Sequence, residues 1–307
     1  MLGLRDVPYS VVIPTKDRHE ILPVTIGFLL AQTDPPQRIV VVDASDDPIR
    51  LDVEARDAEL TLLRHAPSTS GQRNFGVAHV ETPLVLFLDD DVELPPDYVE
   101  TLKRHWAERG GLEALAAVSG TAARPAPAGG RLGQLYRRVF QLHIQDPAAA
   151  HHTFRRSQKV RFRVVPAKPV FIPAVSTMAV LYRTELARKH PFDEHFPGYA
   201  LGEDLDMSFR VAQEAPILHV PDVQYVHAWS EGGRGSPRRW YYRGRCDTYF
   251  RLKRLDPGPV PAAAFALSVV GELIGAAADS AKERDLSHVR LFVTGLTETL
   301  RELPRGS

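Results

Sequence analysis

Three consecutive carboxylates, Asp89-Asp90-Asp91, follow directly on the apolar run Leu84-Val85-Leu86-Phe87-Leu88. The run suits a strand buried on both faces of a parallel sheet. The acids do not suit burial: two unit charges ~4 Å apart repel by about 4 kcal/mol at an effective dielectric near 20. A cation, a shared proton or open water must relieve that cost. A second acidic pair, Glu203-Asp204, follows Gly202 in PFDEHFPGYALGEDLDMSFR and opens a helical pattern. There carboxylates meet the positive end of the helix dipole, and capping alone would account for them. His227 follows a strand-like stretch in Val226-His227-Ala228-Trp229; taken singly it is an ordinary polar residue. Carboxylates in such clusters can ligate a divalent cation through oxygen or take a proton from a hydroxyl.

The elements that must position these groups alternate between strand and helix. Strands are expected at 10–13, 38–42, 60–63, 83–88 and 115–118, with helices at 19–32, from Gly71 through His79, and from Pro95-Pro96 onward. Repeated strand–helix units imply an α/β fold with a mostly parallel, Rossmann-like sheet flanked by helices. Ligands in such sheets bind beyond the carboxyl ends of the strands. Here those ends read Thr15-Lys16-Asp17-Arg18, Asp43-Ala44-Ser45-Asp46 and Asp89-Asp90-Asp91. Residues 121–133 read as a flexible Ala/Pro/Gly crossover, 177–182 as a further strand and 205–212 as a helix. Helical patterns return at 238–255, 261–280 and 286–303.

Together these pieces resemble the family 2 glycosyltransferases of the GT-A fold. The motifs VVIPTKDR, IVVVDASDD, GQRNFGVA, LVLFLDDDVELPPD and FPGYALGEDLDMSFR fall in the family's order across about residues 8–230. The resemblance implies a catalytic domain over 1–235, with a nucleotide-binding half at 1–120 and an acceptor-binding half at 121–235, followed by a C-terminal helical extension at 236–307. It implies an inverting transfer from a UDP-, dTDP- or GDP-sugar to a glycan, lipid-linked or small-molecule acceptor, with Mn²⁺ or Mg²⁺. Asp89 and Asp91 correspond to the outer carboxylates of the DXD-type motif, with Asp90 between them and Asp91 the metal ligand. Pro14, Thr15, Asp17 and Arg18 correspond to first-strand residues around the nucleotide. Asp43 stands at the second-strand acid that contacts the base; because this chain reads VDAS where many members read DDGS, Asp43 and Asp46 compete for that role. Arg73 and Asn74 match the family's Arg-Asn pair, contacting the nucleotide or bracing the acidic loop. Asp204 corresponds to the general base, with Glu203 orienting the acceptor or the loop. His227 occupies the place where some relatives supply a further metal ligand, and His219 is assigned a structural role.

Composition sets the outer bounds. The 307 residues carry 38 Lys+Arg against 38 Asp+Glu, so no net charge draws the chain to nucleic acid, and none is expected as a partner. One cysteine, Cys246, excludes a disulfide within the chain and points to a reducing, cytoplasmic setting. The N-terminus, broken by Pro8 and Pro14, does not read as a signal peptide, and Pro261 to Ala278, interrupted by Glu272, is expected to fall short of a spanning length. The run RRWYYRGRCDTYFRLKRL at 238–255 is read as a helix whose aromatics pack on the catalytic domain while its arginines face water. Nucleic-acid stacking and a peripheral membrane contact are its rivals. Two other functions compete with sugar transfer. A nucleotidyltransferase acting on a sugar phosphate would usually bring a glycine-rich basic loop, which PTKDRHE lacks. A non-catalytic nucleotide-sugar-binding module would not need Asp204.

Overall fold

A computed structural model of the chain describes residues 4–51, 58–123, 130–145, 153–162, 167–198, 201–227 and 237–302. The middle of the expected 121–133 crossover and Trp229 lie outside these residues. The chain forms two compact units, one from Met1–Pro125, Val165–Gly198 and Glu203–Trp229, the other from Ala126–Val164, Tyr199–Gly202 and Ser230–Ser307. Residues 126–164 thus group with the C-terminal helices.

The first unit begins with β1 (Tyr9–Thr15), α1 (Leu22–Leu30), β2 (Arg38–Asp43), β3 (Glu59–Arg64), α2 (Thr69–Ala78), β4 (Leu84–Leu88), β5 (Val92–Glu93), α3 (Tyr98–Ala107) and β6 (Ala117–Ala122). The second unit then contributes α4 (Arg131–Val139), β7 (Ile144–Gln145), β8 (Thr153–Phe154) and β9 (Val160–Phe162). The chain returns to the first with β10 (Val170–Ile172), β11 (Ala179–Arg183), α5 (Thr184–Lys189), α6 (Glu203–Ala212) and β12 (Ile217–His227). It ends in the second with α7 (Arg238–Tyr242), a π-helical turn, α8 (Thr248–Leu252), α9 (Pro259–Glu283) and α10 (Ser287–Glu302).

The main sheet runs β10-β12-β6-β11-β4-β1-β2-β3, with β5 pairing the end of β12. Strands β1, β2, β3 and β4 are parallel neighbours, and β12 is parallel to β6. Strand β11 runs against both β4 and β6, and β10 runs against β12. The sheet is therefore mixed. Six of its strands share one direction, and their carboxyl ends form a single edge.

Strict alternation along the central strands explains why they read as continuous apolar runs. Val11, Ile13, Ile39, Val41, Leu84, Leu86 and Leu88 face one core with Leu22 and Ile26 of α1 and Leu102 and Trp106 of α3. Val12, Val40, Val42, Val85 and Phe87 face the other, with Val77 of α2, Leu186 of α5 and Met207 of α6. Each such side chain contributes about 1.5–3 kcal/mol by leaving water. Helix α2 opens on Ser68, whose Oγ accepts from the Gly71 N–H at 3.1 Å. It then lies so close to the sheet that a Cβ at Gly76 would sit 2.5 Å from Val12 Cγ1 and 3.1 Å from Val42 Cγ2.

The second unit is organised around buried charge. Lys159, 1% exposed, places Nζ 2.5 Å from Asp247 Oδ2 and 2.8 Å from Glu272 Oε1. Arg243 donates to Glu272 Oε2 at 2.7 Å, and Arg251 donates to the Ser157 carbonyl at 2.9 Å. Burial alone would raise both carboxyls. Lys159, with Arg251 beside Asp247 and Arg243 beside Glu272, outweighs it, holding Asp247 well below the usual range and Glu272 at about 2. Within the 238–255 run, Trp240 and Phe250 are buried, but the expected packing on the catalytic domain is corrected for Trp240, which lies beside Ala276 and Phe292 of the second unit. Arg245 and Arg251 correct the expectation of solvated arginines: both are buried, because carboxylates and carbonyls of this unit satisfy them. The expected shortness of the apolar segment is also corrected. Helix α9 is 25 residues long and its best 18-residue window has a mean hydropathy of 1.8.

Two predictions follow from this packing. Gly76→Ala should lower stability by about 1–3 kcal/mol through overpacking against β1, reduced by the up to ~1 kcal/mol gain in helix propensity; a urea midpoint above wild type would show that α2 can retreat. Lys159→Met should cost about 3–5 kcal/mol by removing the cation shared by two buried carboxylates, leaving Asp247 to Arg251 and Glu272 to Arg243. In the wild type these depressed carboxyls add stability that is complete above the ordinary carboxylate range and is lost as pH falls toward 2. Thermal melts of wild type and variant across acid pH should therefore converge.

Candidate active site

The candidate site lies on the shared carboxyl edge of the first unit's sheet. Strand β1 ends at Thr15, β2 at Asp43, β4 runs into Asp89, and β12 ends at His227. Because β11 runs the other way, it starts at this edge, and the loop before it brings Ser176 and Thr177 there. Helix α6 contributes its first turn, Glu203 and Asp204.

Arg73, 4% exposed on α2, joins the two acidic clusters. Its guanidinium donates to Asp89 Oδ1 at 2.8 Å, to Glu203 Oε1 at 3.0 Å and to the Thr177 carbonyl at 3.2 Å. Of the two expected roles, bracing the acidic loop is the one its contacts describe. Thr177 carries the linkage further: its N–H donates to Asp204 Oδ2 at 3.1 Å, while Leu205 N–H donates to Asp204 Oδ1 at 2.7 Å. Asn74, by contrast, turns away. Its amide donates to the Phe192 carbonyl at 2.8 Å and to Glu194 at 2.9 Å, bracing the 192–194 loop.

The three consecutive acids have three different surroundings. Asp89 Oδ1 meets Arg73, and its Oδ2 lies 4.0 Å from His227 Nε2. Asp90 turns toward β1, accepting from the Thr15 hydroxyl at 2.7 Å with Arg18 Nε at 4.0 Å, while its carbonyl accepts from the Thr25 hydroxyl at 2.8 Å. Asp91 Oδ1 lies 2.8 Å from His227 Nε2. Burial raises Asp90 to about 6, partly offset by the Thr15 hydrogen bond, with the charges of Asp91 and Asp89 adding. Burial also raises Asp89, against the pull of Arg73 and His227. Glu203 reaches about 7, through burial and the charge of Asp204, with Arg73 opposing. Asp204 is raised by burial as well, against Arg73 and its backbone hydrogen bonds.

The second-strand acid is placed differently from the others. Asp43 is fully buried, and its oxygens accept from the Ser45 N–H at 2.8 Å and the Ile49 N–H at 3.0 Å while pairing with Arg64. Burial would raise this carboxyl; the hydrogen bonds from Ser45 and Ile49 and the Arg64 charge hold it below the usual range. Asp43 thereby anchors the 45–49 loop. Asp46 extends into solvent, 3.6 Å from Lys16 Nζ. Asp17 adopts left-handed backbone, φ 56°, and its N–H donates to Ser45 Oγ at 2.7 Å, tying the loop after β1 to the loop after β2. Pro14 is the penultimate residue of β1. His219 is structural, as expected, between the Ser119 and Thr121 hydroxyls at 2.9 and 3.0 Å.

Sequence reasoning missed Gln72, Thr177 and Tyr225. The Gln72 amide donates to the carbonyls of Thr15 and Val42 at 2.9 and 2.7 Å, locking the ends of β1 and β2 together. Gln72 lies inside GQRNFGVA and was within reach of a motif reading. Tyr225 stands two residues before His227 on β12, its hydroxyl pushed up by burial and by the charges of Asp89 and Asp204; Thr177 had no sequence signal at all.

Among the described residues no group of three His, Cys, Asp or Glu side chains is already disposed as a metal cage. His227 Nε2 nevertheless lies 2.8 Å from Asp91 Oδ1 and 4.0 Å from Asp89 Oδ2, and two carboxylates with an imidazole are a donor set that fits a divalent cation whose remaining positions come from a ligand's oxygens. Arg73→Met should cost about 3–5 kcal/mol by stranding Asp89 and Glu203. Arg73→Lys, which keeps the charge without the planar fork, should recover only part of that loss in a denaturant titration.

The family model described as Glycosyl transferase family 2 matches residues 10–123. A validoxylamine A glucosyltransferase of Streptomyces hygroscopicus subsp. limoneus is 35% identical over 101 residues, 30% of this chain and 22% of that protein, so the matched stretch spans under a quarter of the relative. Among solved structures, a mannosyltransferase from Pyrobaculum calidifontis in complex with GDP-Man and Mn²⁺ aligns with a TM-score of 0.56 at 16% identity, over 97% of this chain and 88% of that one. GalNAc-T7 with UDP, GalNAc and Mn²⁺ aligns at 0.55 and 14%, over 91% and 59%. S. aureus TarS 1-349 aligns at 0.55 and 14%, over 97% and 81%. With the mixed sheet and the acidic edge built by β4 and α6, the solved structures show that the chain has a GT-A-like fold, and its residues 10–123 match the glycosyl transferase family 2 model.

Proposed function

We propose that the chain transfers a sugar from a nucleotide-diphosphate sugar to an acceptor hydroxyl with inversion at the anomeric carbon. One observation carries the reading. Arg73 ties Asp89 to Glu203 and, through Thr177, to Asp204, so that the acidic cluster proposed to hold a cation and the carboxylate proposed as base share one network. Mn²⁺ or Mg²⁺ would be held by Asp91, Asp89 and His227. When bound, it supplies positive charge to the departing diphosphate. The neighbouring structures with GDP-Man and with UDP both contain Mn²⁺, which supports the same ion here.

Asp204 acts as the general base. Two backbone N–H groups fix its carboxylate, and burial beside Glu203 raises its proton affinity toward that of a working base. Glu203, held by Arg73, orients the first turn of α6 and keeps Asp204 in place. Thr15, Asp17 and Arg18, with Asp46 on the adjoining loop, offer the nucleotide its polar contacts. Asp90 braces the acidic turn onto β1 through Thr15, and Asp43 serves the nucleotide indirectly by shaping the 45–49 loop. Attack on the anomeric carbon, opposite the leaving diphosphate, breaks the glycosyl–phosphate bond as the acceptor oxygen loses its proton to Asp204.

Calorimetry and a transfer assay with UDP-, dTDP- and GDP-sugars test this. Asp204→Asn should keep donor affinity and lose ~10²–10⁴-fold in transfer, the usual worth of a positioned base. Asp91→Ala should lose the Mn²⁺-dependent part of donor binding. The wild-type rate should rise with pH above the ordinary carboxylate range, since the Glu203–Asp204 pair must lose its proton to work, and the Asn variant should lack that limb. Near-normal transfer by the Asn variant would reduce Asp204 to a helix cap. Production of a nucleotide sugar from a nucleoside triphosphate and a sugar phosphate would replace the reading with nucleotidyl transfer.

A further inference from the structure

The second unit exposes an apolar surface with a definite pattern. Every exposed position of α9 from Val260 to Ala278 is apolar, among them Val260 at 53%, Leu267 at 39%, Val270 at 48% and Ile274 at 44%. They recur every three or four residues and so form one stripe, about 27 Å long at 1.5 Å per residue. The charged residue within that stretch, Glu272, lies on the opposite face, buried and held by Lys159 and Arg243.

Helix α4 adds a second, independent feature. None of its residues is buried, and Leu132, Leu135 and Val139 are 83%, 58% and 53% exposed along one face. Arg131, Arg137 and Arg138 are exposed along the rest of it. The Tyr136 hydroxyl donates to the Gly271 carbonyl, and a Cβ at Gly271 would lie 2.5 Å from Phe140 Cβ. The two helices therefore meet within one turn of Leu267 and Ile274. A helix with an uncovered apolar face and arginines on its polar face lies in the plane of a lipid interface.

We propose that the α4–α9 face of the second unit docks on an anionic lipid bilayer. The apolar stripe enters the boundary between headgroups and acyl chains, and Arg131, Arg137 and Arg138 meet lipid phosphates. The helix does not span. Although α9 has the length and hydropathy to cross, crossing would carry Glu272 into hydrocarbon and away from Lys159 and Arg243. A second copy packed stripe to stripe would cover the apolar residues but offer the three arginines no acidic group, since the stripe has none. Anionic lipid satisfies both.

Vesicle flotation with the full chain tests this, comparing phosphatidylcholine vesicles with ones containing phosphatidylglycerol. The protein should float with the anionic vesicles and much less with the neutral ones. The triple variant R131Q/R137Q/R138Q should lose about fivefold in affinity for each arginine removed, and more at low salt than at high. The variant L267D/I274D should bind neither vesicle while melting like wild type, because both positions are exposed. Absence of vesicle binding by the wild type, or binding that neither variant weakens, would overturn the proposal. So would a dimer in light scattering that L267D/I274D dissociates without any vesicle binding.

Discussion

The first unit depends on the buried guanidinium of Arg73. Asp89 and Glu203 lie far apart in sequence, and each is raised by burial toward the neutral form. A guanidinium remains charged under these conditions and offers donors in a fixed planar fork, so it can hold two carboxylates and a carbonyl at once. With it in place, the loop after β4, the loop before β11 and the first turn of α6 form one continuous network. Removing it would leave buried Glu203 without its cation and cut the link between the two acidic clusters.

The sheet makes that convergence geometric. Six strands aligned in one direction put Thr15, Asp43, Asp89 and His227 at one edge, and the reversal of β11 starts a strand there instead of ending one. Thr177 reaches the edge for that reason, with its N–H on Asp204 and its carbonyl on Arg73. The antiparallel pairing of β5 with β12 sets Val92 opposite His227, which turns the imidazole back toward Asp91. The register of β1 on β4, Val12 opposite Phe87, brings Thr15 level with Asp90.

The second unit solves a different problem with the same means. Lys159, Asp247, Glu272, Arg243 and Arg251 are satisfied by one another inside it, so the face of α9 that bears Glu272 is committed to the protein. The opposite face is left apolar and exposed. A helix divided in this way belongs partly to the fold and partly to whatever surface the unit meets.

Much of the fold was legible in the sequence because the signals are local. Strands β1, β2 and β4 announce themselves as apolar runs, since both faces of the sheet are covered. The helix read from Gly71 through His79 is α2, which its Ser68 cap starts two residues earlier, at Thr69, and the acids after β4 advertise a site because consecutive carboxylates are costly without relief. The motifs likewise named Asp89, Asp91 and Asp204, with His227 added by its position after a strand. Other features depended on how the chain folds back on itself. Asp43 reads as a free carboxylate until Ser45, Ile49 and Arg64 are seen to consume it. Asn74, beside Arg73 in sequence, faces a different loop because successive helical residues point about 100° apart. The apolar run of α9 fits a spanning helix, a core helix or an interfacial one equally well. Residue types and order determined which groups could do chemistry and which strands would carry them. Which carboxylates are paired, which arginines are buried and which face of α9 is exposed were decided by tertiary structure alone, because solvation and charge pairing depend on neighbours in space that the chain supplies from residues as much as a hundred or more positions away.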